Sequence, residues 1–259
     1  MTRSLVTGAG KRLGRAMALY LARRGYDVAV HYSGSADAAE DTAAVIHDLG
    51  RKAVTLQADF LDESAVAGLL PAAADALGGP ITCLVNNASI FEYDTVASAT
   101  RDGWDRHLDS NLRAPFVLTQ AMAAQRLAAT ADSSGEPVAA GLIVNMIDQR
   151  VLKPTPEFMT YTIAKMALWA MTRTTAQALA PAIRVNAIGP GPTLRGARQS
   201  AEHFAAQRAG TILGRGADTG DVTAALGYFL DAPAMTGQML CVDGGQHLAW
   251  QTPDILGVE

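Results

Sequence analysis

The chain has 259 residues, 49% of them hydrophobic, and a formal net charge of −4. Length and apolar content suit one large α/β domain with a sizeable core and exclude an extended disordered chain. Mild acidity without a block of Lys or Arg gives no basis for a nucleic-acid or anionic-membrane partner. No apolar run is long enough to span a bilayer. The N-terminus "MTRSLVTGAG" enters a strand-like run without a signal or transit pattern, so a cytoplasmic location is expected. Cys83 and Cys241 have no His or Cys at metal spacing and are expected as buried thiols, not a disulfide or zinc site.

"SLVT" predicts the first strand, and a helix from about Leu13 to Arg24 follows, ended by Gly25. "DVAVHY" predicts the second strand, before a helix that runs through Leu49 and stops at Gly50. "AVTLQ" is the third strand, "ESAVAGLLPAAADAL" a helix, "GGP" a turn and "ITCLVNN" the fourth strand. A long helix is predicted near "NLRAPFVLTQAMAAQRLAA", and "ADSSGEP" reads as a surface loop. Then come the strand "GLIVNMI", a helix to about Ala180 and the strand "IRVNAI". A Gly/Pro-rich segment, two short helices and the strand "QMLCV" complete the order. Apolar strands alternating with helices predict parallel strands covered on both faces. Right-handed crossovers then give a Rossmann-type, doubly wound parallel sheet in a single domain, since neither a repeat nor a linker divides the chain.

"TGAGKRLG", residues 7 to 14, joins the first strand to the first helix. Gly8, Gly10 and Gly14 would let the backbone turn tightly and approach a pyrophosphate resting on the helix N-terminus beside Leu13, and Arg12 adds a charge there. A dinucleotide fold selecting NAD offers an acid at the tip of the second strand to the ribose 2′-OH. This chain reads "HYSGSAD", with His31, Tyr32, Ser33 and Ser35 and no acid at the tip. Without that carboxylate a 2′-phosphate is not repelled, so NADP is favoured, while Ser35 equally suits a helix cap. Asp59, after the third strand, either meets the adenine or is a turn residue. Asn86 and Asn87 end a buried strand, where their amides must bind cofactor ribose or tie strands together.

Tyr161 and Lys165 stand four residues apart in "YTIAK", on one face of a helix. An ordinary phenol ionises near pH ~10 and is a poor acid–base group at neutrality; a neighbouring ammonium stabilises its phenolate. With the Gly-rich turn, "NNAS", Asn111, "IGPGPT" and "DGG", this pair makes the chain resemble the short-chain dehydrogenase/reductase family over nearly its full length. The resemblance implies Tyr161 as proton donor, Lys165 as the group that lowers its pKa and holds the nicotinamide ribose, and Asn111 as keeper of a water relay. It places Asn87, Ala88 and Ser89 along the cofactor, and Gly191 and Thr193 beside the nicotinamide. It also implies a homotetramer packed through the helices holding Asn111 and Tyr161.

One departure carries chemical information. Where most members have a Ser thirteen residues before the Tyr, this chain has Asp148. A carboxylate opposes a carbonyl oxygen that gathers negative charge, but suits a ring nitrogen that must gain a proton. The pteridine reductase subgroup is similar: Asp at that place, "TGxxKRLG" at the first turn, and "NNAS-x-F" after the fourth strand. The resemblance then implies Phe91 stacked on a flat pterin ring opposite the nicotinamide, with Arg12 and Ser89 contacting substrate and cofactor phosphate. Hydride would pass from NADPH to a C=N carbon, with Tyr161 and Asp148 managing the proton; to act as the acid Asp148 would need the raised pKa that burial provides.

Gly34 occupies the place where the subgroup has a basic residue. The segment at about 192–214 is expected as a substrate-side lid, with Arg195, Arg198 and His203 either meeting substrate or lying on solvated helix faces. His247 and Trp250 in the tail are expected to reach a neighbouring subunit's site. Two other readings stand: a reductase of a ketone, quinone or 3-oxoacyl thioester, with Ser89 or a water polarising the carbonyl, and a non-catalytic dinucleotide sensor.

Overall fold

The computed structural model describes residues 2–196 and 199–252. Its centre is a seven-stranded sheet whose paired strands are all parallel. The strands are β1 (Arg3–Val6), β2 (Asp27–Tyr32), β3 (Ala53–Gln57), β4 (Cys83–Asn86), β7 (Gly141–Met146), β8 (Ile183–Pro190) and β9 (Met239–Val242). A separate short antiparallel pair, β5 (Thr130–Ala131) and β6 (Pro137–Val138), flanks the "DSSGE" turn, so the expected surface loop carries a small hairpin. The order β3-β2-β1-β4-β7-β8-β9 reverses direction between β1 and β4, the crevice where ligands bind in open sheets of this kind.

Neighbouring residues of each strand feed opposite faces, as the period of two requires. Val6, Val28, Val30, Val85 and Val144 pack against α1 (Arg12–Arg23), α2 (Ala36–Asp48) and α8 (Thr219–Asp231) through Met17, Leu21, Ile46, Leu226 and Phe229. Leu5, Ala29, Leu84 and Ile143 face the other way. They pack against α3 (Glu63–Leu77), α5 (Ala114–Ala124) and α6 (Met159–Leu179) through Leu69, Leu70, Leu118, Met122 and Ala176. Gly25, Gly50 and Gly78 close α1, α2 and α3 with positive φ, where a side chain would be strained.

The helix expected to open near Asn111 is preceded by a helical segment that the sequence reading did not include, and it ends at Ala124. A helix α4 (Arg101–Leu108), capped by the Thr100 hydroxyl, passes through one π-helical turn, Asp109–Arg113, into α5. The polar α4, "RDGWDRHL", buries only His107, so it offers no apolar stripe by which to read a helix there, whereas α5 is apolar; such π turns often mark functional positions. Cys83 is a buried free thiol and Cys241 a half-buried one. The segment expected as a lid holds α7 (Ala201–Ala209), and Arg208 pins its two ends by donating to the carbonyls of Pro192 (3.0 Å) and Ala217 (2.6 Å). Among the described residues, no helix is long and apolar enough to cross a membrane.

Candidate active site

The turn after β1 is built on contacts that only glycine permits. A Cβ on Gly14 would lie 2.1 Å from the Gly8 carbonyl oxygen, and one on Gly10 would lie 3.1 Å from the Ala39 nitrogen at the start of α2. Gly8 has φ +63 and sits against Ala88 and Asn87. Backbone thus approaches backbone closely where β1, β2 and β4 end, which fits a dinucleotide pyrophosphate.

Side chains around this turn fasten it. The Thr7 hydroxyl accepts from the Asn87 and Ala88 amides (2.8 and 2.9 Å), and the Asn87 side chain donates to the Thr7 carbonyl (2.8 Å). Asn86 donates to Asn145, which donates to Thr172 on α6. The strand-tying reading therefore describes both asparagines in this structure. Thr7 had no signal of its own beyond its place in the motif.

His31 departs from the expectation of a cofactor contact at the tip of β2. Its ring is buried and stacked on Phe60 at 4.6 Å. Nδ1 accepts the Gly8 amide (3.0 Å) and Nε2 lies 3.0 Å from the Ala58 carbonyl, so both nitrogens serve the backbone. Burial holds its pKa down to about 4, so the imidazole is neutral. Tyr32 packs against the core, and the exposed Ser33 accepts from Gln57 through its carbonyl. Ser35 occupies the N-cap of α2 without a side-chain capping bond. Asp59 is a turn residue here, its carboxylate accepting the Leu61 amide at 3.1 Å.

On the chemical side, β7 delivers Asp148 and α6 delivers Tyr161 and Lys165. Asp148 caps a 3₁₀ turn, Gln149–Val151: Oδ1 accepts the Arg150 amide (2.8 Å), which leaves Oδ2 to accept the Tyr161 hydroxyl at 3.1 Å. Burial raises the Asp148 pKa, opposed by the Arg150 amide and charge, the Tyr161 hydroxyl and Lys165. The Tyr161 phenol is pushed well above its ordinary value, first by burial and then by the charge and hydrogen bond of Asp148. Lys165 donates to the Met146 carbonyl (2.8 Å), and its Nζ lies 5.6 Å from the centroid of the Tyr161 ring. Burial lowers it to about 8, against the pull of Asp148. In this arrangement Tyr161 is a neutral phenol bonded to the carboxylate.

Asn111 is fully buried in the π turn, and its side chain is spent on the loop after β4. Oδ1 accepts from the Ile90 amide (2.8 Å) and the Ser89 hydroxyl (3.1 Å), while Nδ2 donates to the Ile90 carbonyl (2.8 Å). Phe91 lies face-to-face on Phe158 at 4.3 Å and edge-on to Tyr161 at 4.7 Å. One face of the Phe91 ring is therefore covered by Phe158. Arg150 stands over the Phe158 ring at 5.2 Å. Phe158 was not singled out in the sequence, although an aromatic three residues before the Tyr was its visible trace.

Arg12, with φ 53, donates to the carbonyls of Leu194 and Arg195 (2.9 and 2.8 Å), joining the glycine turn to the lid segment. Leu13 packs against the core beside it. Thr193 is buried and bonded to the Gly191 carbonyl; a Cβ on Gly191 would meet Asp243 at 2.6 Å. Asp243 also accepts from His247 Nδ1 at 2.7 Å, while Trp250 is exposed. His203 is exposed on α7, and Arg198 lies outside the described residues.

A family model described as Enoyl-(Acyl carrier protein) reductase matches residues 8–247. A short-chain type dehydrogenase/reductase of Picea abies is 31% identical, over 94% of this chain and 91% of the relative. The 3-oxoacyl-[acyl-carrier-protein] reductase FabG of Staphylococcus epidermidis is 32% identical over 73% of each. The crystal structure of FolM alternative dihydrofolate reductase 1 from Brucella suis, in complex with NADP, superposes with a TM-score of 0.90. It shares 45% identity and 98% coverage of both chains. A short chain dehydrogenase from Burkholderia cenocepacia, also with NADP, gives a TM-score of 0.84 at 33% identity, covering 95% of this chain and 97% of that one.

Proposed function

The chain belongs to the short-chain dehydrogenase/reductase family, and we propose that within it the protein is an NADPH-dependent reductase of a pterin-type C=N substrate. The observation that carries this reading is the Asp148 carboxylate 3.1 Å from the Tyr161 hydroxyl, where a ketone reductase needs a neutral donor. A bound NADPH supplies the hydride. The chain's own part is to place the acceptor carbon and to deliver a proton to the adjoining nitrogen. Burial pushes both the Asp148 carboxyl and the Tyr161 phenol toward their protonated forms, the direction a pair that delivers a proton requires. The neighbouring structure named as an alternative dihydrofolate reductase supports a pterin ring as the flat substrate.

NADP is supported by the same neighbour and by local chemistry. Gly34 supplies no cation, but Lys11 is exposed at the N-cap of α1, directly after Gly10, whose backbone lies against Ala38 and Ala39. That puts an ammonium-bearing residue beside the start of α2, where Ser35 leaves its hydroxyl uncommitted to capping. The carbonyl-reductase alternative relies on Ser89 or a water to polarise the substrate; the Ser89 hydroxyl is directed to Asn111 Oδ1, which leaves that alternative to a water. Assembly as a homotetramer through the helices holding Asn111 and Tyr161 belongs to the same reading.

The test is a set of initial rates of NADPH and NADH oxidation with a quinonoid or 7,8-dihydropterin, with dihydrofolate, and with a 3-oxoacyl thioester. Turnover of the pterins with NADPH and little with the thioester is expected. Turnover of the thioester alone would reject the pterin assignment and leave the family and the Tyr–Lys pair untouched.

A further inference from the structure

Three buried polar side chains lie next to the site, and of them only His107 meets a group assigned to the reaction, its ring set edge-to-face with that of Tyr161 at 6.2 Å. They are Asp94 in the loop after β4, His107 on α4 and Thr160 at the start of α6. Their hydrogen bonds form one directed chain. The Glu92 amide donates to His107 Nε2 at 3.1 Å, so that nitrogen is bare and the proton resides on Nδ1. His107 Nδ1 then donates to the Thr160 hydroxyl at 2.8 Å, which in turn donates to Asp94 Oδ2. Asp94 Oδ1 accepts the Thr160 amide at 3.2 Å, and the Asp94 carbonyl accepts the Phe158 amide at 2.8 Å.

Local sequence explains why this help comes from a distance. Phe158 is the N-cap residue of α6 but has φ 55 and no capping side chain, so it leaves first-turn amides open. Asp94, 66 residues before Thr160, accepts the Thr160 amide instead. The next residue on α6 is Tyr161. The first link of the chain, Glu92, directly follows Phe91, whose ring edge meets Tyr161. Among the described residues Thr160 alone bonds to both His107 and Asp94, so it registers the loop of Phe91, helix α4 and the phenol of Tyr161 against one another.

We propose that Thr160 is a positioning residue, which through its hydroxyl sets the Tyr161 phenol relative to Asp148 and to the substrate platform. The inference rests on the reading that Tyr161 and Asp148 handle the proton. Thr160→Val keeps the shape but leaves a buried imidazole N–H and a carboxylate oxygen unpaired, a cost relieved only if the loop and the first turn of α6 move apart. Proton transfer is far more sensitive to such a shift than binding of the dinucleotide on the other side of the sheet switch point.

The experiment compares kcat, KM and the NADPH dissociation constant, read from cofactor fluorescence, for Thr160→Val, Thr160→Ser and Tyr161→Phe with whichever substrate the enzyme turns over. For Thr160→Val, kcat is expected to fall by roughly tenfold to a hundredfold, with KM and NADPH affinity within about twofold. Thr160→Ser restores most of kcat, because its hydroxyl re-forms both bonds. A kcat for Thr160→Val within about twofold of wild type overturns the proposal, as does an equal loss in both Thr160 variants with a matching loss of NADPH affinity. Should Thr160→Val not fold, Asp94→Asn substitutes for it: its amide oxygen still caps the Thr160 amide, while its nitrogen cannot accept the hydroxyl proton, so the last link of the chain is lost or reversed. The same drop in kcat is then expected, and wild-type turnover overturns the proposal. Tyr161→Phe separates the two layers. If it keeps its turnover, the proton-donor reading falls and the positioning role with it; if it loses turnover while Thr160→Val does not, only the positioning role falls.

Discussion

The Tyr161 hydroxyl donates to Asp148 Oδ2 across 3.1 Å, while the other oxygen of that carboxylate accepts the Arg150 amide. Two acidic groups thus share one proton position in a buried setting. A carboxylate fixed by its own turn is a rigid partner for the phenol, and this rigidity is what a substituted hydroxyl would not reproduce.

Asp148→Ser tests that partnership. Pterin turnover is expected to fall by about a hundredfold or more, the range of general acid–base contributions, while NADPH affinity stays near wild type. Rates and fluorescence titrations on one preparation give both numbers. Parallel loss of the two would mean that Asp148 acts through folding of the 149–151 turn.

His31 predicts an acid-sensitive fold. Its folded pKa of about 4 lies below the unfolded value of 6.5, so the unfolded chain binds the extra proton between those limits. The His31 contribution to stability is complete above pH ~6.5 and is lost as pH falls toward ~4, about 3 kcal/mol in all. Urea midpoints from neutral pH down to ~4 should drop more steeply for wild type than for His31→Gln. Parallel curves would remove His31 from the acid response.

Lys165 predicts an alkaline limit to activity. Its ammonium, lowered to about 8 by burial, becomes neutral just above physiological pH. The free enzyme's kcat/KM should then decline above pH ~8. In Lys165→Met the rate should be low and the decline absent. A wild-type profile level to pH ~10 would show that the charge of Lys165 is not needed.

Gly14→Ala isolates the cofactor turn. The new Cβ would fall 2.1 Å from the Gly8 carbonyl oxygen, a backbone atom that cannot swing aside. Loss of about 1–3 kcal/mol of stability is expected, with weakened NADPH binding. Gly34→Ala, where a Cβ meets nothing within 4 Å, is the control. Equal behaviour of the two variants would show that the close approach at Gly14 does not matter.

Much of the molecule is local in origin and was therefore legible. Apolar strands, helix-ending glycines and the four-residue spacing of Tyr161 and Lys165 are properties of short segments, and each recurs in the structure where the sequence placed it. The glycine turn was legible too, because only glycine tolerates a Cβ position 2.1 Å from backbone oxygen. The helix α4 ahead of Asn111 was not, since "RDGWDRHL" is polar and buries only His107.

By itself the sequence determined the α/β alternation, the dinucleotide turn, and the presence of an acid thirteen residues before the Tyr. Tertiary structure alone decided how side chains with the same local appearance are used. His31 and Asp148 are both polar residues at the ends of strands, yet one is sealed under the turn and the other faces a phenol. Phe91 meets Phe158, and Thr160 meets Asp94 and His107, across separations of 66 and 53 residues for the latter two. Burial and hydrogen-bond partners come from chain segments far away, so only the folded sheet order could bring them together and assign each group its charge and its neighbour.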